Sequence, residues 1–200
     1  NITLSIIYLL VSFLLTILCY KKYGKIGMYI WMCLGVIISN IQTIKMASLF
    51  GLTVSLGNIS YGTVFLTTDI LSEIYGEKST KEAIKISFLV MIVFTLFMWL
   101  FLQYEPSTID TSQKALETVF GYIPRITLGS MCAYYLSQTC DAKIYAFLKK
   151  RTSKIWLRNN ISTFISQTID TIIFLTISFA GLMSFTSLVE LFLTMLLFKI

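Results

Sequence analysis

The sequence predicts an all-α fold, a polytopic membrane helix bundle with six to seven transmembrane helices forming a single domain over residues 1–200. Three observations carry that prediction. Of the 200 residues 56% are hydrophobic and only 13% are charged, about half the charged share of a soluble domain, and mean hydropathy is +0.79. Apolar stretches recur at lengths near the roughly 20 residues that cross a hydrocarbon core of about 30 Å as a helix. Lysines and arginines gather in every second connection between those stretches, the asymmetry that orients membrane helices.

In chain order the expected helices are Ile2–Cys19, Met28–Leu49, Asn58–Tyr75, Ile84–Tyr104, Val119–Leu148, Asn160–Gly181 and a last one from near Ser187. The first has no basic flank before it and no A-x-A-like cleavage site, and Lys21, Lys22 and Lys25 follow it as they follow a retained span. The last has about 14 residues before Ile200, too few to cross at 1.5 Å per residue, so it is expected to be truncated and to continue past Ile200. Lys21, Lys22 and Lys25, then Lys78, Lys81 and Lys85, then Lys149, Lys150, Arg151, Lys154 and Arg158 mark three cytoplasmic connections. Between them lie Phe50–Gly57 (uncharged), Glu105–Thr118 (net acidic) and the short Gly181–Thr186 turn. The N-terminus is therefore expected outside and the C-terminus inside.

The net charge of +6 does not indicate nucleic-acid binding, because the basic residues alternate by loop instead of sharing a face. Cys19, Cys33, Cys132 and Cys140 lie in or at the ends of the spans with no C-x-x-C spacing and read as small packing residues. Histidine is absent, which removes the commonest zinc ligand, so no metal is expected. No G-x-x-x-x-G-K-[ST] phosphate loop occurs, and no cofactor is implied.

Intramembrane charge is what remains. An Asp, Glu or Lys at the centre of a bilayer costs roughly 2.5–3.5 kcal/mol on insertion scales, so each is a functional candidate. They fall in four groups: Asn40 with Lys45, Asp69 with Glu73, Gln138 with Asp141, and Gln167 with Asp170, with Glu190 and Lys199 as weaker candidates. The last two groups belong to a repeat, since "SQTCDAKIY" (Ser137–Tyr145) and "SQTIDTIIF" (Ser166–Phe174) share S-Q-T-x-D-x-x-I-aromatic. Spacings of three or four put each group on one side of its helix. Counted from the basic connection between them, Asp141 lies about 12 Å up one helix and Asp170 about 15 Å up the other, so the repeat is expected to set two amide–carboxylate pairs opposite one another. A plainer role stands beside this. Ser, Thr and Gln can bridge helices for roughly 0.6–2 kcal/mol each, Glu73 can pair with Lys78, Lys45 can neutralise an acid, and Tyr61, Phe65, Tyr75, Tyr145 and Phe174 can be packing.

"TTDILSEIYGEK" (Thr67–Lys78), "RNNISTFISQTIDTIIF" (Arg158–Phe174), "SQTCDAKIY" and the closing "FKI" (Phe198–Ile200), in this order and spacing, resemble the queuosine precursor transporter family, once grouped as vitamin uptake transporters. The resemblance spans Asn40 to the end. It implies a non-enzymatic, multi-pass importer of the bacterial inner (cytoplasmic) membrane whose substrate is a 7-deazaguanine nucleobase: preQ0, preQ1 or queuine. For such a substrate the intramembrane polar residues are expected to contact the base: Asn40, Lys45, Asp69, Glu73, Gln138, Asp141, Asn160, Gln167 and Asp170, with Tyr61 or Phe65 stacking on it. Such a base offers a ring N–H and an amine beside a carbonyl, so a carboxylate can take both donors while an amide or Lys meets the carbonyl. Asp170 or Asp141 would read that donor edge, Gln167 and Gln138 would complete the ring contacts, and Asp69 or Glu73 would attract a cationic arm or carry a proton. The rivals are a substrate-capture subunit of an ATP-driven importer, and an intramembrane aspartyl hydrolase, whose Y-D and G-x-G-D motifs are missing. Partners are then the base and the bilayer, and Gly35, Gly129 and Gly181 allow the close helix contacts of a homodimer.

Overall fold

A computed structural model describes residues 1–49 and 51–199, and at 138, 141, 142, 145, 146, 149, 155, 159, 198 and 199 the backbone alone. In chain order the elements are α1 (Ile2–Gln42), β1 (Met46–Leu49), β2 (Leu52–Ser55), α2 (Gly57–Phe101), α3 (Gln113–Phe120), α4 (Ile123–Lys149), α5 (Ile155–Phe179) and α6 (Phe185–Lys199). The fold is helical, as composition predicts. Among the described residues α1, α2 and Trp156–Phe179 of α5 are long and apolar enough to cross a membrane.

Two expected connections are not loops. The lysine-marked breaks after Cys19 and Tyr75 fall inside α1 and α2, each of which holds one non-helical residue: Gly24 (φ 54°, ψ −132°) and Gly76 (φ 80°, ψ 167°). These angles are closed to a residue with a Cβ, which is why glycine stands at both. At Gly24 the chain doubles back, so that Tyr8 meets Gln42 34 positions later. Lysines are good helix formers, so helical backbone runs on past the end of the apolar stretch until a glycine stops it.

The far end of α1 is a second correction. The apolar run predicts helix from Met28 to Leu49, but α1 stops at Gln42 and Met46–Leu49 pairs antiparallel with Leu52–Ser55, in the register Met46↔Ser55 to Leu49↔Leu52. Hydroxyls cause the stop by competing with the helix for backbone groups. Ser55 Oγ donates to the Thr43 carbonyl at 3.0 Å, while the Lys45 amide turns back to the Gln42 carbonyl at 3.0 Å. A lone two-stranded hairpin is marginal; this one is also held by Asn1 Nδ2, which donates to the Ser48 carbonyl at 3.1 Å. The expected Val119–Leu148 helix begins later, at Ile123, just after Gly121. Pro124 then sits in the first turn, where its missing N–H has no helical partner to lose.

The chain divides into two compact units, Asn1–Thr127 and Leu128–Ile200. The first is built on Met28, Met32, Val36, Val64, Leu71, Ala83, Met91 and Ile123. In the second, Gly129 of α4 approaches α5 so closely that an added Cβ would collide with the Ser178 hydroxyl, and Phe174 packs edge-on against Phe179 at 6.0 Å.

Polarity is inverted relative to a soluble protein. Leu4, Leu10, Leu14, Leu89 and Phe97 are exposed, while Ser12, Thr16, Ser39, Asn40, Thr67 and Ser87 are buried. Most buried hydroxyls are satisfied within their own helix: Thr16 donates to the Ser12 carbonyl at 2.8 Å, Thr67 to Thr63 at 2.7 Å and Ser87 to Ile84 at 2.9 Å. A hydrocarbon surrounding requires this of every buried polar group, so these hydroxyls are accounted for by structure.

Candidate functional site

On α5 every fourth residue from Arg158 to Ser178 is buried: Arg158, Ser162, Ser166, Asp170, Phe174 and Ser178, with Gln167 and Thr171 beside them. Trp156, Phe164 and Ile172 are exposed at 62%, 50% and 50%. The helix therefore turns a polar stripe inward and an apolar face outward, as a span does when its ionisable residues face the protein interior.

The second unit brings the two copies of the repeat together at this stripe. Ser137 of the first copy places Oγ 3.3 Å from Asp170 Oδ1 of the second, both residues buried. The same hydroxyl lies 3.1 Å from the Tyr134 carbonyl, and its one proton serves one acceptor at a time. A carboxylate can accept about four hydrogen bonds, and Ser137 offers at most one. One turn earlier, Gln167 Oε1 is buried with no donor among the described residues. An unmatched buried acceptor costs about 1–3 kcal/mol, so Gln167 stands out from the hydroxyls that are satisfied locally. Asp170 and Gln167 together make an acceptor-rich patch, suited chemically to a neutral or cationic group that brings N–H donors.

The other predicted residues are distributed differently. Gln138 and Asp141 lie on α4, but their side chains fall outside the described residues. Asn160 is on α5 but exposed. Asn40 is buried, and its Nδ2 donates to the Val36 carbonyl at 2.7 Å in its own helix. Lys45 is exposed beyond the end of α1, so the expected Asn40–Lys45 pair on one helix does not form, because the chain turns at Thr43. Asp69 and Glu73 share α2 and are both exposed. Tyr61 and Phe65 pack against one another edge-on at 5.1 Å.

Sequence reasoning missed two features. Arg158 was assigned to a loop by its basic neighbours, yet it is buried in the first turn of α5; the four-residue spacing from Arg158 to Ser162, Ser166 and Asp170 is the signal that could have found it. The second is a polar network in the first unit. Tyr8 Oη lies 3.1 Å from Gln42 Oε1 and 2.8 Å from Ser60 Oγ, and Ser60 also donates to Gln42. Outside the helices, the Asp110 carboxylate accepts from the Ser112 hydroxyl and amide, both at 2.7 Å, and these bonds hold it below the usual carboxylate range.

An apolar exterior, a hydroxyl-lined interior and a buried carboxylate on long helices define a helical membrane protein. Residues 55–200 match the family model described as "Putative vitamin uptake transporter", and the chain belongs to that family. It is 39% identical over 185 residues, 91% of this chain and 81% of the relative, to a protein of Bacillus subtilis (strain 168) named "Probable queuosine precursor transporter". No solved structure matches. The family reached from the T-D-x-x-x-E-x-Y-G stretch and the paired S-Q-T motifs is thus the family the comparisons show, and its description as a transporter points away from an enzyme.

Proposed function

We propose that this protein imports queuosine precursors, 7-deazaguanine bases of the preQ0, preQ1 or queuine type, across the bacterial cytoplasmic membrane, and that the α4–α5 hairpin binds the base. Kinship with a protein named as a queuosine precursor transporter supports the substrate class. The observation that carries the site is the unmatched acceptor Gln167 Oε1 one turn from buried Asp170. A 7-deazaguanine supplies the N–H donor that Gln167 Oε1 is without among the described residues. Its ring N–H and exocyclic amine can both donate to Asp170, and a further ring N–H can donate to Gln167. Asp141 and Gln138, in the matching positions of the first copy, are the residues to test next. Asp69 and Glu73 are assigned to attracting a cationic arm or carrying a proton.

On this reading residues 1–200 are one transporter domain. Among the described residues the helical segments number eight once α1 and α2 are divided at Gly24 and Gly76; setting aside the eight-residue α3, the other seven cross the membrane with the N-terminus outside and the C-terminus inside. The test is thermal unfolding of the purified protein with preQ0, preQ1, queuine and guanine. Selective binding to the native state adds about 2.7 kcal/mol at a ligand concentration of 100 Kd. A Tm rise with a deazapurine that is absent in Asp170→Asn protein is the expected result. An equal rise in that variant would remove Asp170 from the site, and no rise with any base in folded protein would overturn the substrate class.

A further inference from the structure

The two lysine-rich breaks of the first unit lie against each other. A Cβ added at Gly24 would sit 3.3 Å from the hydroxyl of Tyr75, the residue before Gly76. Tyr29 Oη lies 3.1 Å from the Ser79 carbonyl and 2.8 Å from Glu82 Oε2, with its one proton serving either. Lys25 Nζ stands 3.9 Å from the same carboxylate. Around the breaks, Lys21, Lys22, Lys25, Lys78, Lys81 and Lys85 face two glutamates, Glu77 and Glu82. Both glutamates are engaged, Glu82 by Tyr29 and Lys25, and Glu77 by Lys81. Among the described residues the ion pairs leave Lys78 and Lys85 without a carboxylate. These two lysines, with Lys81 and the two glutamates, line an open groove of about 520 Å³. Beyond the groove the second half of α2 carries the charge into an apolar stripe. With about 3.6 residues per turn, Lys78, Lys81, Lys85, Leu89, Ile92 and Leu96 fall within an arc of roughly 80°. The three lysines are exposed, and Leu89, Ile92 and Leu96 are exposed at 62%, 47% and 52%. From Lys85 to Leu96 the stripe runs about 16 Å, close to half of a hydrocarbon core of about 30 Å.

We propose that this stripe is a binding site for an acidic phospholipid of the leaflet on the lysine side. Its phosphate lies in the groove among Lys78, Lys81 and Lys85, and an acyl chain runs along Leu89, Ile92 and Leu96. Lysines at a membrane surface attract acidic lipid, and basic pockets between membrane helices hold acidic headgroups. The Lys81–Glu77 pair is exposed and four residues apart on one helix, a kind of pair that contributes little, so Lys81 can turn to a phosphate. Tyr29 and Lys25 hold Glu82 toward α1. A soluble anion would use the lysines and leave the apolar half of the stripe idle; a phospholipid uses both.

The test is native mass spectrometry of the full chain released from micelles holding equal amounts of dioleoyl phosphatidylglycerol and dioleoyl phosphatidylcholine. The phosphatidylglycerol adduct is expected to exceed the phosphatidylcholine adduct by at least about tenfold. The triple variant Lys78→Gln, Lys81→Gln, Lys85→Gln is expected to bring that ratio close to one, and the matching triple change to Arg is expected to keep it. A control triple, Lys150→Gln, Arg151→Gln, Lys154→Gln, removes the same charge from exposed positions of the second unit and is expected to leave the ratio as in the parent. All the substituted side chains are exposed, so each variant is expected to keep the parent Tm. Added sn-glycerol 3-phosphate is expected to displace the lipid only at a concentration at least about tenfold above that of the lipid. No preference in the parent, or an equal loss in the two Gln triples, would overturn the proposal, the second by reducing it to net charge. Displacement by glycerol phosphate at equal concentration would also overturn it, by making the groove a soluble-phosphate site.

Discussion

A carboxylate carried into an apolar helix must find donors, and for Asp170 one of them is the Ser137 hydroxyl, which also lies against the Tyr134 carbonyl. Hydrogen bonds to charged groups are worth about 1.5–3 kcal/mol, so the transport reading expects Asp170→Asn to weaken base binding by roughly 10- to 100-fold. Ser137→Ala removes only one neutral donor, and its effect should stay below about tenfold; both are read as Kd by titration calorimetry. Gln167 permits a sharper test. Replacing an unmatched buried acceptor with an apolar side chain of similar size is neutral or stabilising, so Gln167→Leu should raise or preserve the Tm of the empty protein while binding is lost. A large fall in Tm would show that Gln167 serves the fold instead. At this scale the sequence marked Asp170 and Gln167 as residues carried into an apolar helix, and the structure buries both, though burial alone does not assign them a role. The sequence could not show that the Asn40 amide also bonds back to Val36, since a residue letter does not reveal what its own helix satisfies.

The two glycine breaks set the shape of the long elements. Gly76, at φ 80° and ψ 167°, occupies a region essentially reserved for glycine, where another residue costs about 1–3 kcal/mol. At Gly24 (φ 54°) a Cβ would also sit 3.3 Å from Tyr75 Oη. Gly76→Ala and Gly24→Ala should therefore each destabilise by roughly 1–3 kcal/mol. Gly62→Ala, within helical α2 and with open space around its Cβ position, should stabilise by about 0.5–1 kcal/mol. Denaturant unfolding in one detergent checks all three, and equal effects at the three sites would show that the positive-φ breaks are not constrained. Element existence was readable from apolar run length, but element ends were not. Apolarity and charge report where a segment meets water, whereas a helix stops where backbone geometry changes, at Gly24 and Gly76, or where side-chain hydroxyls take its carbonyls, just past Thr43. The Met46–Ser55 hairpin was hidden for the same reason: its apolar strand continues the helix pattern, and the competing bond comes from Ser55, 12 residues beyond Thr43.

For the whole molecule, the apolar composition shows in a surface that exposes Leu4, Leu10, Leu14, Leu89 and Phe97 while many hydroxyls and Asp170 are buried beside an apolar core. Composition could not reveal which polar groups are spent on their own helices; among the described residues, the buried atoms left unmatched after that subtraction include Trp31 Nε1, Asn58 Nδ2, Gln167 Oε1 and Ser178 Oγ. Whether the chain moves its substrate unaided is a question about the entire protein. A capture subunit and a self-sufficient importer share a binding site and differ in turnover. Purified protein reconstituted alone in liposomes, without ATP, is expected to accumulate labelled preQ1 inside to at least the external concentration, and Asp170→Asn protein is expected to fall to the level of empty vesicles. Binding without uptake in the same vesicles would assign the chain to the capture class and require an energy-supplying partner. An inwardly directed pH gradient adds the second half of the test, since a carboxylate that carries the coupled proton cannot do so as an amide. If Asp69 has that role, the gradient should raise uptake several-fold in the parent and leave Asp69→Asn unresponsive. A parent indifferent to the gradient would remove proton coupling and leave facilitated diffusion, with the inward flow drawn by consumption of the base inside the cell.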